Sequence, residues 1–360
     1  MLFVNQCVLR NMTQILAGDT GGTKTILLLA EVQETEAGIR LHPLYQSRYI
    51  SAEFLDLVPM VRQFLATAEE AIGSKPAPIK ACFSIAGPIV NNTSRLTNLS
   101  WLLDGSRIRD DLGLKEVQLI NDFVAVGCGI ETLEATDIET LQAAEPDAAA
   151  PIAVIGAGTG LGQGFIIYQE GRYRVYPTEG GHTDFAPRNQ LEFQMLKYLR
   201  EKLNLTRVSV ERVVSGMGIV AIYQFLRDSQ ATTESPAVAE AIRTWERETG
   251  KSEKTVDPAA VIAIAAATEG DRLCKQTMEL FVDLYGAEAG NLALKLLPYG
   301  GLYIAGGIAA KNLALMKSGI FLKSMLDKGR MRPLMERVPV HVILNQDVGL
   351  LGAGLTAARL

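Results

Sequence analysis

The sequence predicts an α/β protein made of two related halves, and three observations carry that reading. Ile15-Leu16-Ala17 and Ile26 to Ala30 are short apolar runs separated by Gly18-Asp19-Thr20-Gly21-Gly22-Thr23-Lys24, the pattern of strand, glycine turn, strand. The unit recurs. Ile152-Ala153-Val154-Ile155 leads into Gly156-Ala157-Gly158-Thr159-Gly160-Leu161-Gly162 and then Phe165-Ile166-Ile167-Tyr168, with a further turn at Glu170-Gly171. Stretches of helical apolar spacing alternate with further strands after each copy. A duplicated unit of this kind implies two halves flanking a cleft that would hold the chemistry.

In chain order, Leu55 to Ala71 has helical spacing of Leu55, Val58, Val61, Phe64, Leu65 and Ala68, and Ile79 to Ile85 and Val117 to Ile120 read as strands. Residues 189 to 205 and 211 to 226 are helical in spacing, as are Ser235 to Arg247, Pro258 to Thr268 and Arg272 to Leu297. Ser235 followed by Pro236 reads as a capping hydroxyl and then a proline where no donor is needed. Leu302 to Ala305 is a strand closed by Gly306-Gly307, Val338 to Leu344 another, and Leu350 to Leu360 a terminal helix able to pack back on the first half. The expected organisation is an N-terminal extension over 1–12, a small α/β domain over 13–132 with 347–360, and a large one over 133–346.

Composition narrows the function. At 360 residues the chain has room for two domains at about 150 residues each. Its 48% apolar and 21% charged content is that of a folded, water-soluble chain. The net charge of -5, with no basic block, argues against nucleic acid as a partner. No apolar run approaches the ~20 residues of a membrane span. Cys7, Cys82, Cys128 and Cys274 are scattered without a C-x-x-C pair, so they read as reduced thiols of a cytoplasmic protein.

Backbone N–H groups at a glycine turn can converge on phosphate oxygens because no Cβ blocks the approach. Taken alone, each cluster is equally a tight hairpin; two matched clusters favour a nucleotide polyphosphate. Neither is a familiar nucleotide motif. A P-loop counted from Gly18 needs glycine where Thr23 stands, and a Rossmann fingerprint counted from Gly156 needs it where Leu161 stands. Asp19 adds a carboxylate suited to hold Mg²⁺ directly or through its waters.

Six ordered blocks then resemble the bacterial glucokinases, the hexokinase-like branch of the sugar kinase, heat-shock chaperone and actin superfamily. They are the two glycine runs, Leu119-Ile120-Asn121-Asp122-Phe123, Glu179 to Pro187, Ser209 to Gly216 and Ala305-Gly306-Gly307-Ile308. The resemblance implies an actin-like ATPase (ribonuclease H-like) fold and transfer of the γ-phosphate of ATP to the 6-hydroxyl of glucose, with Mg²⁺. It implies ATP contacts from Gly18, Asp19, Thr20, Gly21, Gly22, Thr23, Lys24, Gly158, Thr159, Gly160, Gly306 and Gly307. It matches Asn121, Asp122, Glu179, His182 and Glu211 to hexose-binding positions, and Asn98 to a looser sugar contact. The zinc motif of the other common bacterial type is not supplied by these cysteines.

Asp122 is the candidate general base, since phosphoryl transfer to a hydroxyl needs a carboxylate to take its proton. Without the other blocks, Asn121-Asp122 would read as a turn initiator, and His182 could be a satisfied structural histidine. A kinase of another hexose or amino sugar would share the phosphate loops, and a non-catalytic sugar sensor would not need Asp122. Helical residues 189 to 297 offer a face for a homodimer.

Overall fold

Continuous burial through the middle of β1, Thr13–Thr20, marks it as a central strand covered on both faces, and this sets the architecture of the first part of the chain. The computed structural model describes residues 13–36, 38–96, 99–170, 172–229, 233–248, 250, 255–268 and 270–360. It divides into two compact units, one running to Ala135 and resuming over Asn345–Leu360, the other Thr136–Leu344. The expected extension over 1–12, together with Asn98 and Gly171, lies outside the described residues.

In the first unit β1 is followed by β2 (Lys24–Thr35), β3 (Gly38–Ile50), β4 (Lys80–Ile85), the short pair β5 (Thr93–Arg95) and β6 (Leu102–Asp104), and β7 (Glu116–Asn121). Five strands form one sheet in the order β3-β2-β1-β4-β7. The first three are antiparallel neighbours, while β1, β4 and β7 run parallel. Side chains alternate across a strand. Leu16, Leu27, Leu29, Ala81 and Phe83 therefore face the helix Leu57–Ile72 on one side. Ile15, Ala17, Leu28 and Cys82 meet Ala125, Leu350, Ala353 and Ala357 of the helices Asp122–Gly129 and Val348–Arg359 on the other.

The second unit repeats the plan with β8 (Ile138–Gln142), β9 (Ile152–Ala157), β10 (Leu161–Gln169), β11 (Arg172–Thr178), β12 (Gly301–Ala305) and β13 (Val340–Ile343). Its sheet order is β11-β10-β9-β12-β13-β8, again an antiparallel meander joined through its first strand to parallel partners. The helix Arg272–Leu296 carries Phe281, Tyr285 and Ala289 into the core beside Ile155 and Ile304. It begins at Asp271, whose side chain accepts from Cys274 N, the usual way to satisfy an orphan amide.

Several expectations need correction. Gly18, Asp19 and Thr20 belong to β1 rather than to the turn, which is only Gly21 to Thr23; their backbones lie between β2 and β4. Gly18 is required by packing, since a methyl group there would meet Phe83 Cδ1 at 2.6 Å. Leu55 is 95% exposed and precedes the helix, which Asp56 caps by accepting from Leu57 N. Residues 211 to 215 form a short turn before the helix Gly216–Asp228. Ser235 does not cap its own helix; its hydroxyl donates to Asp271 Oδ2 at 2.6 Å. Strands β3 and β11 escaped the sequence reading. β3 is half polar and carries Pro43, which an edge strand tolerates and a central one does not.

Candidate active site

The C-terminal ends of parallel strands are where open α/β sheets present ligand-facing groups. In the first unit β1, β4 and β7 end together: Asp19 pairs across to Ser84, and Ile85 to Asn121. Ser84 Oγ donates to Asp19 Oδ1 at 3.2 Å. Asp122 follows directly as the first residue of the helix Asp122–Gly129.

Asn121 also serves the fold itself. Its Oδ1 accepts from Phe123 N at 2.9 Å and from Val124 N, and its Nδ2 donates to Gly87 O at 3.2 Å. The side chain is the helix N-cap, tied to the loop after β4, and it helps to place Asp122. Asp122 Oδ1 shares the Phe123 amide at 3.0 Å.

Burial pushes the Asp122 carboxyl up to about 6; the Phe123 amide opposes the rise and the charge of Asp19 adds to it. Asp19 is also raised, chiefly by burial, with Ser84 and Lys24 pulling it down and Asp347 pushing it up. Asp347 stands at the N-terminus of the helix Val348–Arg359 and accepts from Gln46 Nε2. Ser84 and Asp347 were missed in the sequence; the only signal for Ser84 is one hydroxyl at the end of the apolar run Lys80–Ile85.

The second unit gathers the remaining candidates around the start of β10. The turn Gly158 to Gly160 is closed by Gly158 N donating to Gly160 O at 2.8 Å, and Gly216 N donates to Gly158 O at 2.8 Å. Glu211 Oε2 accepts from Leu161 N at 2.9 Å, and a methyl group at Gly160 would overlap that same oxygen. Glu211 thus braces the glycine turn with one oxygen. Gly306, at φ +89°, passes close under Ala157 O, where a Cβ would come to 2.6 Å, and Gly307 opens the short helix Gly307–Lys311.

Glu179 and His182 bracket a tight turn in which His182 N donates to Glu179 O at 3.0 Å. Their side chains are 79% and 56% exposed and stand 3.9 Å apart. Val210 N donates to Thr183 O, and Arg207 Nη1 donates to His182 O, so this turn and the Glu211 segment are fastened together. The structure brings Glu179, His182 and Glu211 into one neighbourhood and Asp19, Asn121 and Asp122 into another.

Two α/β units of repeated strand order, with glycine turns between β1 and β2 and between β9 and β10, define an actin-like ATPase fold. The family model for glucokinase matches residues 16–360. The chain belongs to the glucokinase family. It is 59% identical over 349 residues to a curated glucokinase of Nostoc punctiforme, covering 97% of this chain and 100% of that one. A glucokinase of Synechocystis sp. is 53% identical, covering 96% of this chain and 98% of that one. Among solved structures, glucokinase from an Antarctic psychrotroph matches with a TM-score of 0.78 at 27% identity, covering 96% of this chain and 99% of that one. Among the described residues no helix is long and apolar enough to cross a membrane.

Proposed function

We propose that the chain transfers the γ-phosphoryl group of ATP to the 6-hydroxyl of glucose, giving glucose 6-phosphate and ADP, with Asp122 as the base. The observation that carries the reading is the Asp122 carboxyl itself. It stands at the end of a parallel strand, fixed by the Asn121 cap, with its proton affinity raised to about 6. A base near the working pH is largely ionised yet still a useful proton acceptor. As the 6-oxygen of glucose attacks the γ-phosphorus, its proton passes to Asp122 and the bond to ADP breaks.

The phosphates are taken by the two glycine turns. Gly21 N and Gly158 N are used inside their own turns. The N–H groups that follow, of Gly22 and Thr23 and of Thr159 and Gly160, are therefore the proposed donors, with Lys24 as a cation beside them and Gly306 and Gly307 at the adenosine. Glu179, His182 and the second oxygen of Glu211 are proposed to hold hexose hydroxyls, which can donate to a carboxylate oxygen and either donate to or accept from a ring nitrogen. Mg²⁺ fits the donor set at Asp19. A buried carboxylate whose charge also raises its neighbour Asp122 favours a dication, and among the described residues no cluster of three or more acidic, His or Cys groups would hold one alone. Asp19 is therefore proposed to hold a Mg²⁺ carried largely by the nucleotide, which would neutralise phosphate charge. Cys82, Cys128 and Cys274 are free thiols, which supports a reducing, cytoplasmic setting.

The test is ADP release with Mg²⁺-ATP across glucose, mannose, fructose, galactose and N-acetylglucosamine. Turnover with glucose far above the rest is expected; equal or better turnover with another sugar moves the substrate, and binding without turnover removes the kinase reading. A second expected outcome concerns the brace. Glu211→Ala leaves Leu161 N without its acceptor, a loss of about 1–3 kcal/mol in the ordering of the turn. It should raise the KM for ATP as well as that for glucose. Steady-state kinetics in which only the glucose KM moves would refute the brace.

A further inference from the structure

The turn carrying Glu179 and His182 rests on a buried polar chain that the reaction does not otherwise use. Gln163 of β10 is 2% exposed and Glu288 of the helix Arg272–Leu296 is 5% exposed. Gln163 Nε2 donates to Glu288 Oε1 at 2.8 Å, and Asn291 Nδ2 donates to Glu288 Oε2 at 3.1 Å. Lys328 Nζ closes the far end, donating to Asn291 Oδ1 at 2.9 Å and to Ala287 O at 3.1 Å.

Burying a carboxylate and an amide this deeply is unfavourable unless each is held by partners, and an apolar pair would pack here at lower cost. The near end of the chain shows what the arrangement does. The Gln163 carbonyl oxygen lies hard against Gly180, so that a methyl group at Gly180 would overlap it. Thr178 Oγ1 donates to Gln163 O at 3.3 Å and accepts from Gly180 N at 3.1 Å. Gly181 is pressed as closely on the carbonyl of Leu161, whose own N–H is held by Glu211. Both exposed side chains of the turn therefore hang from a backbone whose position is set by the Gln163 amide, and the amide's orientation is set by Glu288.

We infer that Gln163, oriented by Glu288, is a positioning residue that sets the Glu179–His182 turn for glucose. The inference rests on the assignment of that turn to the sugar. Replacing either member lets the turn relax without touching the glycine turns of the nucleotide. The effect should fall on glucose affinity and spare the affinity for ATP.

The experiment measures KM for glucose and for ATP, with kcat, in Gln163→Ala, Gln163→Glu, Glu288→Gln and the exchange variant Gln163→Glu with Glu288→Gln. Gln163→Ala is expected to raise the glucose KM about 10-fold or more with the ATP KM within about 2-fold. Gln163→Glu, which sets two carboxylates together, should be worse. In the exchange variant amide and carboxylate trade places, and the glucose KM should return to within about 3-fold of the starting value, a coupling that independent sites would not show. A glucose KM unmoved in Gln163→Ala, glucose and ATP KM values rising in parallel, or an exchange variant no better than its single parents would overturn the inference. Should the single variants not fold, the exchange variant decides alone through its glucose KM. Glu179→Gln separates the two levels: a raised glucose KM there with none in Gln163→Ala refutes the positioning role only, and no change there refutes the sugar assignment and the inference together.

Discussion

Asp122→Asn is expected to lose phosphoryl transfer and at the same time to melt at a higher temperature. Removing a positioned general base lowers kcat by about 10²–10⁴-fold. Asparagine keeps the carbonyl oxygen that accepts from Phe123 N, so the cap at Asn121 and the helix behind it are undisturbed. The stability gain follows from the carboxyl's raised proton affinity. Its folded value of about 6 stands above the ordinary value of 3.8, so ionisation is unfavourable in the native state. The stability of the unaltered protein is therefore full below pH 3.8, falls as pH rises through about 6, and remains lower above it.

The neutral amide of the Asp122→Asn protein carries no such penalty. The rise from 3.8 to about 6 sets an upper bound of about 3 kcal/mol; allowing for the water that reaches this half-buried group, about 1–2 kcal/mol is realistic. For a unit of this size that is a rise in Tm of about 2–6 °C. Calorimetry at about pH 8 and about pH 4 checks it: the gain should be present at the first and shrink at the second. An unchanged Tm under the alkaline condition would mean that the carboxylate is solvated as on any surface. The acid limb of kcat/KM for the unaltered protein should bend near pH 6 for the same reason.

What the sequence disclosed and what it hid divide along a physical line. The glycine runs, the strands Ile79 to Ile85 and Val117 to Ile120, and the repeat of strand, glycine turn and strand were legible because each is written in neighbouring residues: a short apolar run, then glycines, then an apolar run again. The terminal helix Val348–Arg359 was legible from its apolar spacing. The extent of the first turn was not, because glycine reads as a loop residue. Only the ring of Phe83, from a strand far along the chain, shows that Gly18 is a packing position in β1. β3 was lost because an exposed edge strand with Pro43 lacks a buried face to betray it.

At the site, the sequence names the side chains but not the partners that hold them. Burial raises the Asp122 carboxyl, which no local residue pattern announces. Asn121 and Glu211, expected to face a sugar, spend side-chain atoms on the helix cap and on Leu161 N, contacts invisible without the fold. Gln163 and Glu288 had no signal at all. They are 125 residues apart, and a lone glutamine in a strand or a lone glutamate in a helix is unremarkable until the two are seen buried together.

Gly352→Val is expected to destabilise the first unit by about 3 kcal/mol or more, at the severe end of overpacking. The helix Val348–Arg359 crosses the helix Asp122–Gly129 with no room for a side chain between them. A methyl group at Gly352 would overlap Ala125 O and come to 2.6 Å from Gly129 N, while one at Gly129 would overlap Val348 O. The atoms in the way are backbone, so no rotamer change relieves the clash, and the helices would have to separate. Their shared core of Ile15, Ala17, Ala125, Leu350, Ala353 and Ala357 would open with them.

The sign of the effect is the discriminating feature. By helix propensity alone, replacing glycine inside a helix should gain up to about 1 kcal/mol, and Gly349→Ala in the same helix should behave that way. A methyl there meets only Val126 Cγ2 at 3.7 Å, an ordinary contact. Urea melts of Gly349→Ala and Gly352→Ala therefore ought to move in opposite directions, with Gly352→Val beyond the latter; equal shifts would show that the two helices do not touch through their backbones. The contact also reaches the chemistry. Asp122 is the first residue of the helix that Gly352 crosses, so a Gly352→Ala protein that still folds should lose kcat while its melting midpoint falls, because a displacement of that helix moves the proposed base away from the sugar hydroxyl proposed for it.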